Sequence, residues 1–171
     1  MVINLELPKR KKIRLDGYDY SSNGVYFVTI CVKDRHELLG EIIVGDDAHI
    51  VPNIKLSEIG MVVQKYIDGI VGVDKYIIMP NHIHMIIIIN ERKNGTMWAS
   101  SPTIRQSISQ LIKSFKTLVT KEIEFSLWQR SFHDHIIRND QEYLRIWEYI
   151  DTNPQKWAED CFYESRNGTI S

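Results

Sequence analysis

His82 and His84, two imidazoles one residue apart, are the pair in this 171-residue chain whose type and spacing most readily suggest chemistry. On a strand, alternate side chains share a face, so both rings would point one way while Ile83 and Met85 point the other. Two imidazoles on one face can hold one divalent ion. Pro80 and Asn81 form a turn just before them, and the apolar run Ile86 to Ile89 suits a central strand buried on both faces. Histidines at the mouth of such a strand would sit at a rigid, partly desolvated place. The plainer alternative is two polar residues on a half-exposed strand.

A two-imidazole site needs further groups from elsewhere. Tyr149 and Asn153 stand four apart and would share a face of a C-terminal helix. Asn offers a carbonyl oxygen as a ligand and Tyr a phenol that can act as a nucleophile. The same two residues could instead pack and end the helix before Pro154. Tyr143 has Trp147 at that offset and does not repeat the pattern. His133 and His135 repeat the alternate spacing without an apolar strand behind them. Trp128, Gln129 and Arg130 could stack on bases or grip phosphates, although such a tryptophan more often fills a core edge.

The elements that must position these residues can be read from pattern. Val25 to Val32 and Leu38 to Val44 read as a pair of strands. Ser57 is the expected cap of a first helix carrying Ile59, Val62, Val63, Tyr66 and Ile67. Tyr76 to Met79 and Ile83 to Ile89 read as a hairpin. From Ile104 the apolar positions 104, 108, 111, 112, 115, 118 and 119 predict a long amphipathic helix. Asp140 is expected to cap a last helix, which Asn153 and Pro154 close. Strands, a helix, a hairpin and then more helices predict an α+β fold, an antiparallel sheet with helices on one face.

Length allows one domain of about 150 residues and one active centre. The reading is a basic arm at 1–24, a single domain at 25–158 and a tail at 159–171, with a polar connection from Asn90 to Pro102. Hydrophobic residues at 43% and charged residues at 25% exclude a disordered or collagen-like chain. The longest apolar run, Met85 to Ile89, is far short of the roughly 20 residues of a membrane span. No secretory leader is expected. Two isolated cysteines argue against a disulfide framework and for a reducing cytoplasm. Net charge is -1, so charge tells through its distribution. Lys9, Arg10, Lys11, Lys12 and Arg14 cluster near the N-terminus, and the helix from Ile104 carries Arg105, Lys113, Lys116 and Lys121 without an acid. Such faces can track phosphates or simply be solvated.

In this order the pieces resemble a known family. Met79-Pro80-Asn81-His82-Ile83-His84-Met85-Ile86 resembles the His-hydrophobic-His motif of HUH endonucleases, specifically the single-tyrosine transposases. Leu127-Trp128-Gln129-Arg130-Ser131-Phe132, the run through His133 to Asn139, Trp147-Glu148-Tyr149-Ile150 and Asn153-Pro154 are similar to the REP-associated tyrosine transposase branch. The resemblance spans residues 17 to 158.

It implies a ferredoxin-like core with helices packed on an antiparallel sheet. His82 and His84 would bind Mg²⁺ or Mn²⁺, with Tyr149 as nucleophile and Asn153 completing the site where many relatives have Gln. The implied activity is cleavage and rejoining of single-stranded DNA at REP-like hairpins through a 5′-phosphotyrosine, in the cytoplasm with the nucleoid. Lys11, Lys12, Arg14, Lys113, Lys116 and Arg130 are the candidate DNA contacts, no membrane is involved, and monomer and homodimer are both admitted. Two other readings keep the same residues: a hairpin-binding protein without cleavage, and a replication or conjugation initiator nickase of the same superfamily.

Overall fold

Tyr26, Val28 and Ile30 alternate with Val25, Phe27 and Thr29, a β-branched and aromatic pattern that suits a pleated surface with both faces covered. They form β1 (Gly24–Cys31) in the computed structural model, which describes residues 23–43, 53–89 and 107–163. The chain continues through β2 (Gly40–Ile43), β3 (Asn53–Leu56), α1 (Glu58–Asp68), β4 (Val73–Ile78), β5 (His82–Ile89), α2 (Ile108–Ile123), β6 (His133–Ile137) and α3 (Asp140–Thr152). The basic arm with Lys11, Lys12 and Arg14, and the connection from Asn90 to Pro102, lie outside the described residues.

The main sheet is antiparallel with the order β4-β5-β1-β6. Setting β2 and β3 aside, the run is β-α-β-β-α-β, with the last strand beside the first and the two hairpin strands on the far side. That is the split β-α-β arrangement of ferredoxin-like folds. The expected hairpin of β4 and β5 is present, closed by Pro80 and Asn81.

Four expectations are corrected. β2 does not pair with β1, because β5 and β6 occupy both edges of β1. Asp34 and Arg35, both at φ 54°, turn the chain away after β1. β2 then pairs with β3, a short strand of mixed polarity that no pattern announces. Helices cover both faces of the sheet: Val63 and Ile67 of α1 with Ile112, Phe115 and Val119 of α2 pack on one, and Ile146 and Ile150 of α3 on the other. Asn139 caps α3 in place of Asp140, its side chain accepting the Glu142 N–H at 2.9 Å. Finally, α2 starts after Ser107, whose capping box with Gln110 satisfies the first-turn donors.

The other caps follow the sequence. Ser57 accepts the Gly60 N–H at 3.0 Å to start α1, and the 3-10 turn Asn153–Glu159 with Pro154 follows the end of α3. α3 is also fastened to edge strand β4. Tyr143 Oη donates to the Asp74 carboxylate, and Lys75 Nζ meets Asp151 at 2.6 Å while lying 3.7 Å from the Trp147 ring centre. Among the described residues, no helix is long and apolar enough to cross a membrane.

Candidate metal and nucleophile site

Alternation along β5 sends Ile83, Met85 and Ile87 into the core under α1 and α2, and His82, His84 and Ile86 toward α3. The two imidazoles are buried, at 0% and 2% exposure. Their Nε2 atoms face each other at 2.9 Å. Each ring is steered from behind. His82 Nδ1 meets Asn81 Oδ1 at 2.9 Å, and His84 Nδ1 meets Thr29 Oγ1 at 2.8 Å, across the register that pairs Thr29 with His84. Asn81 cannot usefully reverse its amide, because its Nδ2 already donates to the carbonyls of Phe162 at 2.8 Å and Arg35 at 3.2 Å. With Nδ1 carrying the proton in both rings, both Nε2 lone pairs point to one place, as in metal sites whose outer partners set the tautomer. Phe27 stacks on the His84 ring at 5.2 Å and Phe162 lies 4.5 Å from the His82 ring.

Burial keeps both histidines neutral. It lowers His82 to about 3, helped by the Arg35 charge, and holds His84 well below the usual range, with His82 adding to the effect. Neutral imidazole is the form that ligates metal.

α3 brings Tyr149 over this pair. Its Oη lies 3.2 Å from His84 Nε2, and the O–H also reaches Asp160 Oδ2 at 3.4 Å. Tyr149 as a whole is 39% exposed, so this residue joins the buried site to the surface. Burial first, and then the Asp160 charge, push this phenol up to about 12. One turn later Asn153 is 2% exposed, and its Nδ2 donates to Asp160 Oδ2 at 3.1 Å. Its Oδ1 is buried with no hydrogen-bond partner. One ligand atom each from His82, His84 and Asp160 lie within 4.8 Å of one another, a group able to hold a metal ion.

Known proteins resemble this chain in sequence and in fold. No family model matches the chain. An uncharacterized protein of Haemophilus influenzae is 36% identical over 94% of this chain and 96% of its own length. A second protein of that organism, assigned as a REP-associated tyrosine transposase, is 28% identical over 81% of this chain and 74% of its own. The chain thus resembles the REP-associated tyrosine transposases in sequence. A solved REP-associated tyrosine transposase bound to a REP hairpin shares the fold at a TM-score of 0.54, with 20% identity over 84% of this chain and 74% of that one.

In this chain the residues that the sequence singles out divide into two groups. His82, His84, Tyr149 and Asn153 are brought together. Lys113 and Arg130 are exposed, away from them in sequence and element. Lys116 is partly buried and donates to the carbonyls of Gln129 at 2.9 Å and Ser131 at 2.8 Å, so it braces the segment that carries Arg130. Trp128 is buried against Phe115 and fills a core edge. His133 and His135 stand on edge strand β6, separated from β5 by β1, and His135 pairs with Glu142 at 2.7 Å.

Thr29, Asp160 and Phe162 were not legible as site residues. Thr29 needed the β1–β5 register, and Asp160 and Phe162 follow an irregular turn with no periodic signal. Asn81 was legible only as a turn residue, though its amide orients both His82 and the chain at Phe162.

Proposed function

We propose that the chain is a divalent-metal-dependent enzyme that cleaves and rejoins single-stranded DNA beside hairpins through a 5′-phosphotyrosine at Tyr149. The observation that carries this reading is the convergence of His82 Nε2, His84 Nε2 and Tyr149 Oη, from a rigid central strand and a helix clamped over it. The likeness to a REP-associated tyrosine transposase supports it, and the hairpin bound by the solved neighbour supports the same class of partner here.

Mg²⁺ or Mn²⁺ held by His82 and His84 would supply positive charge that polarises the scissile phosphate and favours phenolate at Tyr149. The Tyr149 oxygen attacks phosphorus, the bond from phosphorus to the 3′ oxygen breaks, and the departing strand leaves as a 3′-hydroxyl after gaining a proton. The phosphoryl group stays on Tyr149 as an ester. A 3′-hydroxyl from another strand can then attack that ester and restore a phosphodiester, so no nucleoside triphosphate is consumed. His82 and His84 take no proton at neutral pH, because burial holds them neutral. The partial exposure of Tyr149 is what an incoming single strand would need to reach its Oη.

Phosphates flanking the cut would be held by Lys113, Arg130 and the arm residues Lys11, Lys12 and Arg14, with Lys116 bracing the segment before Phe132. Such an enzyme works at the nucleoid. The test mixes the chain and its Tyr149→Phe variant with labelled hairpin single strands and Mn²⁺ on denaturing gels. A covalent band from the unaltered chain alone is the expected result. Hairpin binding without any band would replace this reading by that of a non-cleaving hairpin binder, and cutting of replication or transfer origins alone would favour the initiator nickase.

A further inference from the structure

Asn153 is the residue that spacing offers as third ligand, yet its side chain is turned otherwise. Its amide nitrogen, which has no free lone pair for a cation, faces Asp160 Oδ2 at 3.1 Å. The carboxylate accounts for this orientation, since an amide oxygen in that position would set two acceptors against each other. Asp160 is itself aimed by donors on both oxygens. Oδ1 accepts the Phe162 N–H at 2.8 Å, while Oδ2 takes the Asn153 N–H and the Tyr149 O–H.

The chain around Asp160 is tied to the same strand end that carries the histidines. Asn81 holds His82 with its oxygen and the Phe162 carbonyl with its nitrogen. Arg35 donates to the Cys161 carbonyl at 3.2 Å, and the Phe162 ring covers His82. This bracing brings a carboxylate oxygen within 4.8 Å of both imidazole donors.

We infer that Asp160 is the third protein ligand of the site and that Asn153 is a positioning residue acting through it. This rests on the reading of His82 and His84 as metal ligands. Two neutral imidazoles leave the full charge of a divalent ion uncompensated, whereas a carboxylate removes one unit of it and supplies the hard oxygen that Mg²⁺ and Mn²⁺ prefer. Asn153 is one methylene shorter than Gln, and in this site its reach ends at the carboxylate.

Mn²⁺ titration of the full chain, read by the electron paramagnetic resonance of free Mn²⁺, tests the assignment without DNA or activity. Asp160→Asn should weaken Mn²⁺ binding by more than the roughly 10- to 100-fold typical of losing an outer partner. Asn153→Ala should weaken it by a smaller factor in the unaltered chain and by nothing further in an Asp160→Ala background, because a residue that acts only through another shows no independent effect. Circular dichroism of each variant confirms folding, and the near-isosteric Asp160→Asn keeps the test alive should Asp160→Ala fail to fold. Unchanged affinity in Asp160→Asn, or an equal Asn153→Ala loss in both backgrounds, overturns the inference. His84→Ala separates the two levels: if it leaves affinity intact the metal reading itself falls, and if it abolishes binding while Asp160→Asn leaves affinity unchanged, only the role of Asp160 falls.

Discussion

The two faces of the central sheet are made from the same strands and do opposite things. Under α1 and α2, Ile83, Met85 and Ile87 join Tyr26, Val28 and Ile30 in a continuous apolar core. Under α3 the apolar cluster is small, Ile86, Ile137 and Ile150 at its centre, and the rest of that face holds His82, His84, Thr29 and Asn153. A strand alternating at period 2 can therefore devote one set of residues to stability and the other to chemistry, with the first holding the second rigid. The site is expensive to bury, and the larger core offsets that cost.

Several changes would break or sharpen this contrast. The largest effect should come from Tyr149→Phe or His84→Ala, either of which should abolish the covalent DNA adduct on denaturing gels while thermal stability stays close to that of the unaltered chain. On the opposite face Met85→Ala should cost about 2–5 kcal/mol in urea denaturation, with Mn²⁺ binding by the folded fraction retained. If Met85→Ala unfolded nothing and His84→Ala did, the division of labour would be reversed.

Thr29→Val removes the partner of His84 Nδ1 at nearly constant shape. It should weaken Mn²⁺ affinity about 10- to 100-fold, measured by titration, and unaltered affinity would mean the ring is oriented by Phe27 alone. The polar face should also make stability depend on pH. With His82 near 3 and His84 low, the native chain binds fewer protons than the unfolded one below about 6.5, so stability is full above that value and is lost as pH falls toward 3. Each histidine contributes a slope of up to about 1.4 kcal/mol per pH unit in that window. Denaturation at pH 7.5 and 5.0 checks this, and His82→Asn should flatten the curve. The smallest effect is expected from Lys113→Ala, which should reduce the salt slope of DNA binding by at most about one unit; an unchanged slope would return that helix surface to simple solvation.

How much of this was legible follows from what each residue's signal depends on. His82 and His84 were readable because a turn and an apolar run bracket them, and their shared face is a property of the strand itself. The shared face of Tyr149 and Asn153 was readable from helical spacing, but their place in the site came only with the family resemblance. The pairing of β2 with β3 was not, because Asn53–Leu56 is too short and too polar to stand out, and Leu38 to Val44 reads equally well against any strand. Helix placement on both faces was also hidden: amphipathic stripes show that a helix packs but not on which side of the sheet.

Local order alone determined the motif, the faces of its strand and helix, the caps at Ser57 and the stop before Pro154, since each depends on neighbours within a few residues. Tertiary structure decided the rest. Thr29 reaches His84 only through the register of two strands 55 residues apart, and Asp160 reaches the site only because Asn81 and Arg35 tie the chain after α3 to the strand end. Contacts of that kind are set by the closing of the whole sheet, and no local pattern encodes them.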